Sequence, residues 1–293
     1  MPEVILRKLY VPTGWQPEPE DRIFSVENML NEVETYLHSV INGAGKAYEL
    51  PPNPALHTAS KWLVENQNIV KLTDKNLGVT VLSNKWYHNQ IMNLLQHETY
   101  DKVDNPAPEL SAIAIIAEKI VEKIKNPHIR CFLLGQPKGT VPTCHWIPKV
   151  HKTPRKVRPI VPCHSSHITP AAKVLEAHLS LYLKKLPWII NSTREFVERL
   201  EKGKVLSHPD EIHLVTADVE AFYTNIPLDM AIRKIEMIME GHHDVKGLLT
   251  VKETNKVARF VNHNVYFEYN GDTFHQAKGL AMGAQSSGAI ANL

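Results

Sequence analysis

The sequence predicts a mixed α/β fold of the α+β type, with helices beside antiparallel strand pairs. Apolar residues recur every three or four positions in residues 111–125, which is typical of an amphipathic helix. Two pairs of short β-rich segments, residues 68–72 with 79–82 and residues 265–269 with 273–276, are each joined by a short turn. Strands joined by such turns pair antiparallel, so we expect hairpins rather than parallel crossovers.

The other elements are predicted from the same patterns and from their boundary residues. Prolines interrupt the first 60 residues around one helical pattern at residues 26–41, which favours an irregular amino-terminal extension. Prolines recur through residues 137–170, which are predicted to form loops and strands. A capping box begins at Ser192. Further helices are predicted at residues 85–97, 171–186, 192–202, 228–240 and 251–262.

Composition indicates a soluble globular protein with room for two subdomains. The chain has 293 residues, of which 43% are hydrophobic and 22% charged. No apolar run approaches the roughly 20 residues that span a bilayer, and the amino terminus lacks a secretory signal pattern. Three cysteines cannot all pair, which favours a reducing compartment. We therefore expect an intracellular protein, nuclear or cytoplasmic, without a membrane partner.

Charge is distributed unevenly along the chain. The formal net charge is only +2, but residues 123–173 contain ten Lys and Arg residues and no Asp or Glu, which leaves −8 for the rest. Apolar residues able to pack lie among these cations, so the region is not typical of a disordered tail. It indicates a folded surface that contacts phosphates, although a merely solvated basic face is the alternative.

One acidic residue follows a short β-rich segment in the second half of the chain. In the sequence TADVEAFYTNIP, Asp218 precedes the aromatic Tyr223 by five residues, and Pro227 marks a turn before a helix. An Asp at the end of a strand can bind Mg²⁺ through its carboxylate, and the next carbonyl, that of Val219, can share the ion. The alternative is a strand Asp that caps the helix at residues 228–240.

Two other segments have spacings that suit a nucleotide site. The sequence QAKGLAMGAQSSGAIANL begins at Gln276 and places Gly279 and Gly283 before a helix of small residues, which lets the backbone approach a flat ligand. The alternative is an ordinary glycine turn. The sequence HWIPKVHK with KVRPIV presents Lys156 and Arg158 on a proline-stiffened strand, and Arg can bind a triphosphate bidentately.

These segments, in this order, resemble the reverse transcriptases of Penelope-like retroelements. The turn DKNLG at residues 74–78 is similar to one near the start of that family's fingers, although an Asp/Asn/Gly turn is common. The resemblance covers residues 66–293. It implies a right-hand polymerase fold with an amino-terminal extension at 1–65, fingers at 66–215 and a partial palm at 216–293. In the palm, the strand carrying Asp218 would pair with the 265–276 hairpin.

The resemblance also implies site roles for RNA-directed DNA synthesis on an RNA or DNA template-primer. Asp218 and Val219 would hold Mg²⁺, for which Mn²⁺ can substitute, and Lys156 and Arg158 would bind the dNTP triphosphate. Tyr223 would exclude ribonucleotides. The residues that would shape the nucleotide pocket are Gln276, Met282 and Gly283. Ala284 and Gly288 depart from the family's usual Ser and Pro.

The family's later hairpin with paired aspartates is absent, since the chain has no Asp-Asp dipeptide. Two-metal chemistry needs carboxylates from both strands. We therefore expect a truncated domain that is inactive by itself. A non-catalytic nucleic-acid-binding remnant is one alternative. An RNA-templated RNA polymerase is another, which Tyr223 disfavours by colliding with a ribose 2′-hydroxyl. A zinc-binding module is a third, because Cys131, Cys144 and Cys163 lie near five histidines within residues 128–167.

Overall fold

The structure is a computed structural model that describes residues 54–136, 139–202 and 215–293. The chain divides into two compact units, residues 1–63 and 64–293. Helix α1 (Pro54–Glu65) begins in the first unit. The expectation of irregular structure up to residue 60 is therefore wrong from residue 54, because Pro54 occupies the first helical position, where its fixed φ favours the helix. The helix predicted at residues 26–41 lies outside the described residues.

The second unit is a mixed α/β structure, as predicted. Its helices are α2 (Asn84–Leu95), α3 (Pro106–Glu122), α4 (Pro127–Leu134), α5 (Thr169–Leu183), α6 (Thr193–Lys202), α7 (Phe222–Asn225), α8 (Leu228–Gly241), α9 (Val251–His263) and α10 (Gln285–Ala291). Short 3₁₀ turns span Asp74–Asn76 and Cys163–Ser165. None of the described helices has the length and apolar character needed to cross a membrane.

All strand pairs of the described sheets are antiparallel, which confirms the α+β prediction. The strands are β1 (Asn68–Leu72), β2 (Val79–Ser83), β3 (Tyr100–Val103), β4 (His145–Lys149), β5 (Lys156–Ile160), β6 (Tyr266–Tyr269) and β7 (Asp272–Gln276). β1 pairs with β2 and β4 with β5, while β3, β7 and β6 form a three-stranded sheet in that order. Asn270 and Gly271, at φ of 52° and 86°, form the β6–β7 turn, where two positive φ angles match the strand twist.

The predicted strand at Asp218 is wrong for its described part, because residues 215–219 form no strand. The positions beside the 265–276 hairpin are occupied by other segments. β3, which has no strand signal of its own in the sequence, pairs with β7. On the other side, Thr143 forms a parallel bridge to Glu268 of β6, and Cys144 N donates to Glu268 O at 2.9 Å. The backbone groups that a strand through Asp218 would need are therefore already bonded.

The hydrophobic core is centred on α5, which packs against α4, α9 and α10. Its side chains Leu175 and Leu179 are almost fully buried, as is Val257 of α9. A polar contact also crosses this core: His178 Nδ1 accepts from Leu248 N at 3.0 Å, and its Nε2 lies 3.0 Å from Thr254 Oγ1. The core thus fixes the segment before α9 and the helix α10 that follows the glycine loop.

Candidate nucleic-acid interface

The β4–β5 hairpin presents crowded cations. Lys149 and Lys156 lie directly opposite each other across the two strands. Like charges in that position destabilise a strand pair, so this arrangement is not explained by the stability of the hairpin. Burial lowers the pKa of Lys149, and the positive charge of Arg158 lowers it further. The hairpin therefore carries positive charge that an external anion would relieve.

Arg158 is held by an acidic residue from the turn between β1 and β2. Its Nη1 lies 3.1 Å from Oδ1 of Asp74, whose side chain is 8% exposed against 37% for Arg158. Asp74 Oδ2 and Arg158 Nε are buried without a partner among the described residues. The turn is shaped by Lys75 in the left-handed region at φ 61° and by Thr73 Oγ1, which donates to Gly78 O at 2.8 Å. Two segments singled out in the sequence, 74–78 and 156–161, are thus brought together.

The glycine loop contacts the turn that carries Tyr223. Leu280 N donates to Tyr223 O at 2.8 Å. Gly279 has φ +73°, and a Cβ there would lie 2.5 Å from Thr224 Cα, so only glycine fits this approach. Tyr223 is half-buried against the core, and its hydroxyl would be 3.8 Å from a Cβ on Gly288 of α10. The Tyr223 ring therefore reaches the start of the small-residue helix.

The same loop is attached to the end of β5. Val161 N donates to Met282 O at 2.8 Å. Gly283 has φ +123°, and a Cβ on it would lie 2.0 Å from Val161 O, which no side chain could tolerate. Val161 is 1% exposed and lies three residues after Arg158. The loop thus joins the Tyr223 turn to the strand that carries Arg158.

Gln276 and Asp218 occupy different environments. Gln276 is 3% exposed, and its side-chain Nε2 donates to Lys278 O at 3.0 Å, which fixes the start of the glycine loop. Asp218 is exposed in the irregular segment 215–219, close in sequence to Glu220, whose Oε1 lies 3.2 Å from Lys156 Nζ. This exposed ion pair contributes little stability. It connects the residues that follow Asp218 to β5.

The described residues do not by themselves complete a two-metal site. Within the described ranges no three His, Cys, Asp or Glu side chains cluster as metal ligands. A single exposed carboxylate does not hold two ions about 4 Å apart. Mg²⁺ binding by Asp218 and the Val219 carbonyl stays a prediction that depends on further carboxylates.

The three cysteines that a zinc site would use lie in different environments. Cys144 and Cys163 are buried, whereas Cys131 is exposed on α4. Burial raises the pKa of both Cys144 and Cys163 to about 12, which disfavours the thiolate that zinc requires. Cys144 Sγ instead donates to Ile160 O at 3.3 Å. Both side chains belong to the buried core, and Cys144 also contacts the β4–β5 hairpin through this hydrogen bond.

Sequence reasoning missed three residues of this region. Asp74 was singled out only as part of a turn, and its pairing with Arg158 has no local sequence signal, since 84 positions separate them. Val161 and Glu220 were not singled out by themselves. The sequence signal for Val161 is indirect. A glycine such as Gly283 indicates that another part of the backbone lies close by, but it does not identify that part.

No protein-family model matches the chain, and no curated protein matches it significantly.

Proposed function

We propose that the chain is a nucleic-acid-binding domain of the reverse-transcriptase type, comprising fingers and part of a palm. The observation that carries the proposal is the junction at the glycine loop. Leu280 binds the Tyr223 turn, and Met282 binds Val161 at the end of the basic strand. Three segments that are far apart in the sequence, each expected at a nucleotide site, therefore share one backbone-linked region.

The basic hairpin supports a phosphate-bearing ligand. The opposed Lys149 and Lys156, together with Lys152 in the connecting turn, concentrate positive charge on the hairpin, and the carboxylate that pairs with Lys156 is the exposed Glu220. Each cation that contacts a phosphate releases counterions, which makes the affinity fall as salt rises. A template-primer of RNA and DNA is the partner that the proposal names, with a dNTP at Arg158 and Tyr223 as the second ligand.

Polymerase activity would require a metal site completed by carboxylates in addition to Asp218. In such a site Asp218 and the Val219 carbonyl would hold Mg²⁺ together with further carboxylates, and the metal would supply electrostatic stabilisation of the transferred phosphoryl group. Arg158 would leave Asp74 to bind the triphosphate, and Tyr223 would close the pocket beside the sugar. Gln276, Met282 and Gly283 would shape its floor through the loop contacts described above.

The experiment is a salt titration of binding to a fluorescent RNA–DNA primer-template, followed by anisotropy. If about six phosphates are contacted, affinity should fall roughly 10³-fold over a fourfold rise in salt. The variant Lys152→Glu/Lys156→Glu should weaken binding to all sequences alike. Lys149 is left unchanged because it is partly buried.

The matched control is Lys184→Glu/Lys246→Glu, which makes the same change in charge at two exposed lysines outside the hairpin. It should bind like the wild-type chain. An affinity that does not respond to salt, or equal losses in both double variants, would contradict the proposed interface.

A further inference from the structure

A second group of cations surrounds a cavity outside the β4–β5 hairpin. The end of α3 and the start of α9 enclose a cavity of about 550 Å³. Four lysines and one glutamate line it, which gives a net charge of +3. The lysines are Lys123, Lys125, Lys252 and Lys256. Only the first two fall within the basic stretch of the sequence, so the fold adds two cations that the linear pattern did not reveal.

The ammonium groups of these lysines have no carboxylate partners in the described part of the chain. None of the four forms an ion pair there, although several other lysines do, including Lys102, Lys185 and Lys278. Lys125 is attracted by the carboxylate of Glu253, but four cations and one carboxylate around one cavity leave a net repulsion among the lysines. An anion inside the cavity would remove that repulsion.

Glu253, the acidic residue of the cavity wall, is already used by backbone donors. Its Oε1 accepts from Lys125 N at 2.7 Å, and its Oε2 accepts from Thr250 N at 2.8 Å and from Thr250 Oγ1 at 2.8 Å. Burial raises its pKa, but these donors outweigh that effect, so the pKa of Glu253 is lowered. Its carboxylate completes the capping box of α9, and the positive charge of Lys125 lowers its pKa further without forming a salt bridge within 4 Å.

The positive charge of Lys252 is unfavourable at its position in α9. Thr250 is the N-cap of α9, so Lys252 is the second helical residue. Backbone N–H groups make this end of a helix positive, and a cation there is unfavourable. The position is therefore not explained by the stability of α9. A bound anion would account for both the unfavourable position of Lys252 and the net positive charge of the cavity.

We propose that this cavity is a phosphate-binding site and that the backbone of the bound nucleic acid occupies it. The identification of the ligand as nucleic acid rests on the proposed function, whereas the phosphate chemistry rests on the cavity alone. The site would extend the contact with the template-primer from the β4–β5 hairpin to the α3–α9 junction.

The test compares Lys252→Ala/Lys256→Ala with the control Lys184→Ala/Lys246→Ala in the full chain. Alanine at the start of α9 relieves the helix dipole, so folding should not suffer. Two probes are used: the RNA–DNA primer-template by anisotropy over a range of salt, and inorganic tripolyphosphate by calorimetry. Loss of two phosphate contacts should reduce the salt slope, the slope of log affinity against log salt concentration, by about two in magnitude. Over a fourfold rise in salt, the variant should therefore lose roughly tenfold less affinity than the wild-type chain.

Each outcome decides the proposal. A lowered salt slope in the cavity variant alone supports a backbone phosphate as the ligand. Weaker tripolyphosphate binding in that variant, with nucleic-acid binding unchanged or absent in the wild-type chain, supports the phosphate site but assigns it to a free polyphosphate. If the cavity variant and the control are indistinguishable with both probes, the site does not exist.

Discussion

The two segments with the strongest motifs, the glycine loop with α10 and the Asp218 segment, differ in how deeply they are buried. The glycine loop and α10 are largely buried, with Leu280 and Ser286 at 0% exposure. Residues 215–220 are exposed, with Val215 at 89%. The loop's glycines need close backbone neighbours, which the chain itself supplies. Asp218 lies in this exposed segment, where no regular element of the described chain holds it. The comparison separates residues whose role is packing from those whose proposed role is ligand chemistry.

The largest expected effect tests the buried side of this comparison. Gly283→Ala should destabilise the protein by about 3 kcal/mol, because the new Cβ would collide with Val161 O and φ is positive. Urea unfolding measures the free energy. Gly271→Ala is the control, since its φ is also positive but no atom lies within 4 Å of the added Cβ. That variant should lose only about 1 kcal/mol, and equal losses would mean that the loop does not lie on Val161.

A pH dependence is expected from the same core. Burial lowers the pKa of His178 from its ordinary 6.5 to about 4. Between these two pH values the imidazole is protonated in the unfolded chain but neutral in the folded chain. Stability should be complete above pH 6.5 and should fall as pH drops toward 4, by about 3 kcal/mol in total. Urea unfolding at several pH values measures this slope. His243→Gln, at an exposed position, should keep the slope, whereas His178→Gln should reduce it.

A smaller effect is expected where the basic strand meets the β1–β2 turn. Asp74→Asn removes the charge that Arg158 contacts and should cost about 1 kcal/mol, since the Arg158 side chain is partly exposed. Asp244→Asn is the matched control, because Asp244 pairs with Lys185 at 2.8 Å but 62% of its side chain is exposed. The control should leave the unfolding free energy essentially unchanged, because an exposed ion pair contributes little to stability. A larger loss in the control would show that burial does not distinguish the two pairs.

The smallest effect is expected at Asp218, in the exposed segment. Asp218→Ala should change stability by less than about 0.5 kcal/mol, because the side chain is exposed and residues 215–219 form no regular element. Primer extension with Mg²⁺ should be absent in both the wild-type chain and the variant. Extension by the wild-type chain that Asp218→Ala abolishes would show that another carboxylate completes the metal site.

Much of the local structure could be predicted from the sequence. The hairpin at β6–β7 was predicted from alternation and an Asn-Gly turn, and α9 from its apolar spacing, because both signals are local. β3 was missed because its Tyr-Asp-Lys-Val sequence lacks apolar alternation, and its pairing with β7 supplies the strand. α4 was missed because no element was predicted between residues 126 and 136, although Pro127 begins the helix.

The candidate site was predictable only in part. The glycine spacing indicated close contact, but the partners Thr224 and Val161 are set by tertiary packing. The Asp74–Arg158 pair and the lysine cavity join segments that no local pattern connects. The Asp218 strand was predicted from β-rich neighbours, and it failed because β3 and residues 142–144 occupy the places beside the hairpin.

The most direct test of the central claim is photocrosslinking to a primer-template that carries 4-thiouridine at the template base opposite the next incoming nucleotide. If the β4–β5 hairpin and the glycine loop form one nucleic-acid site, crosslinked peptides should come from residues 145–161 and from residues 276–288. Excess tripolyphosphate should reduce both together. Crosslinks confined to other parts of the chain, or to only one of the two segments, would contradict the account.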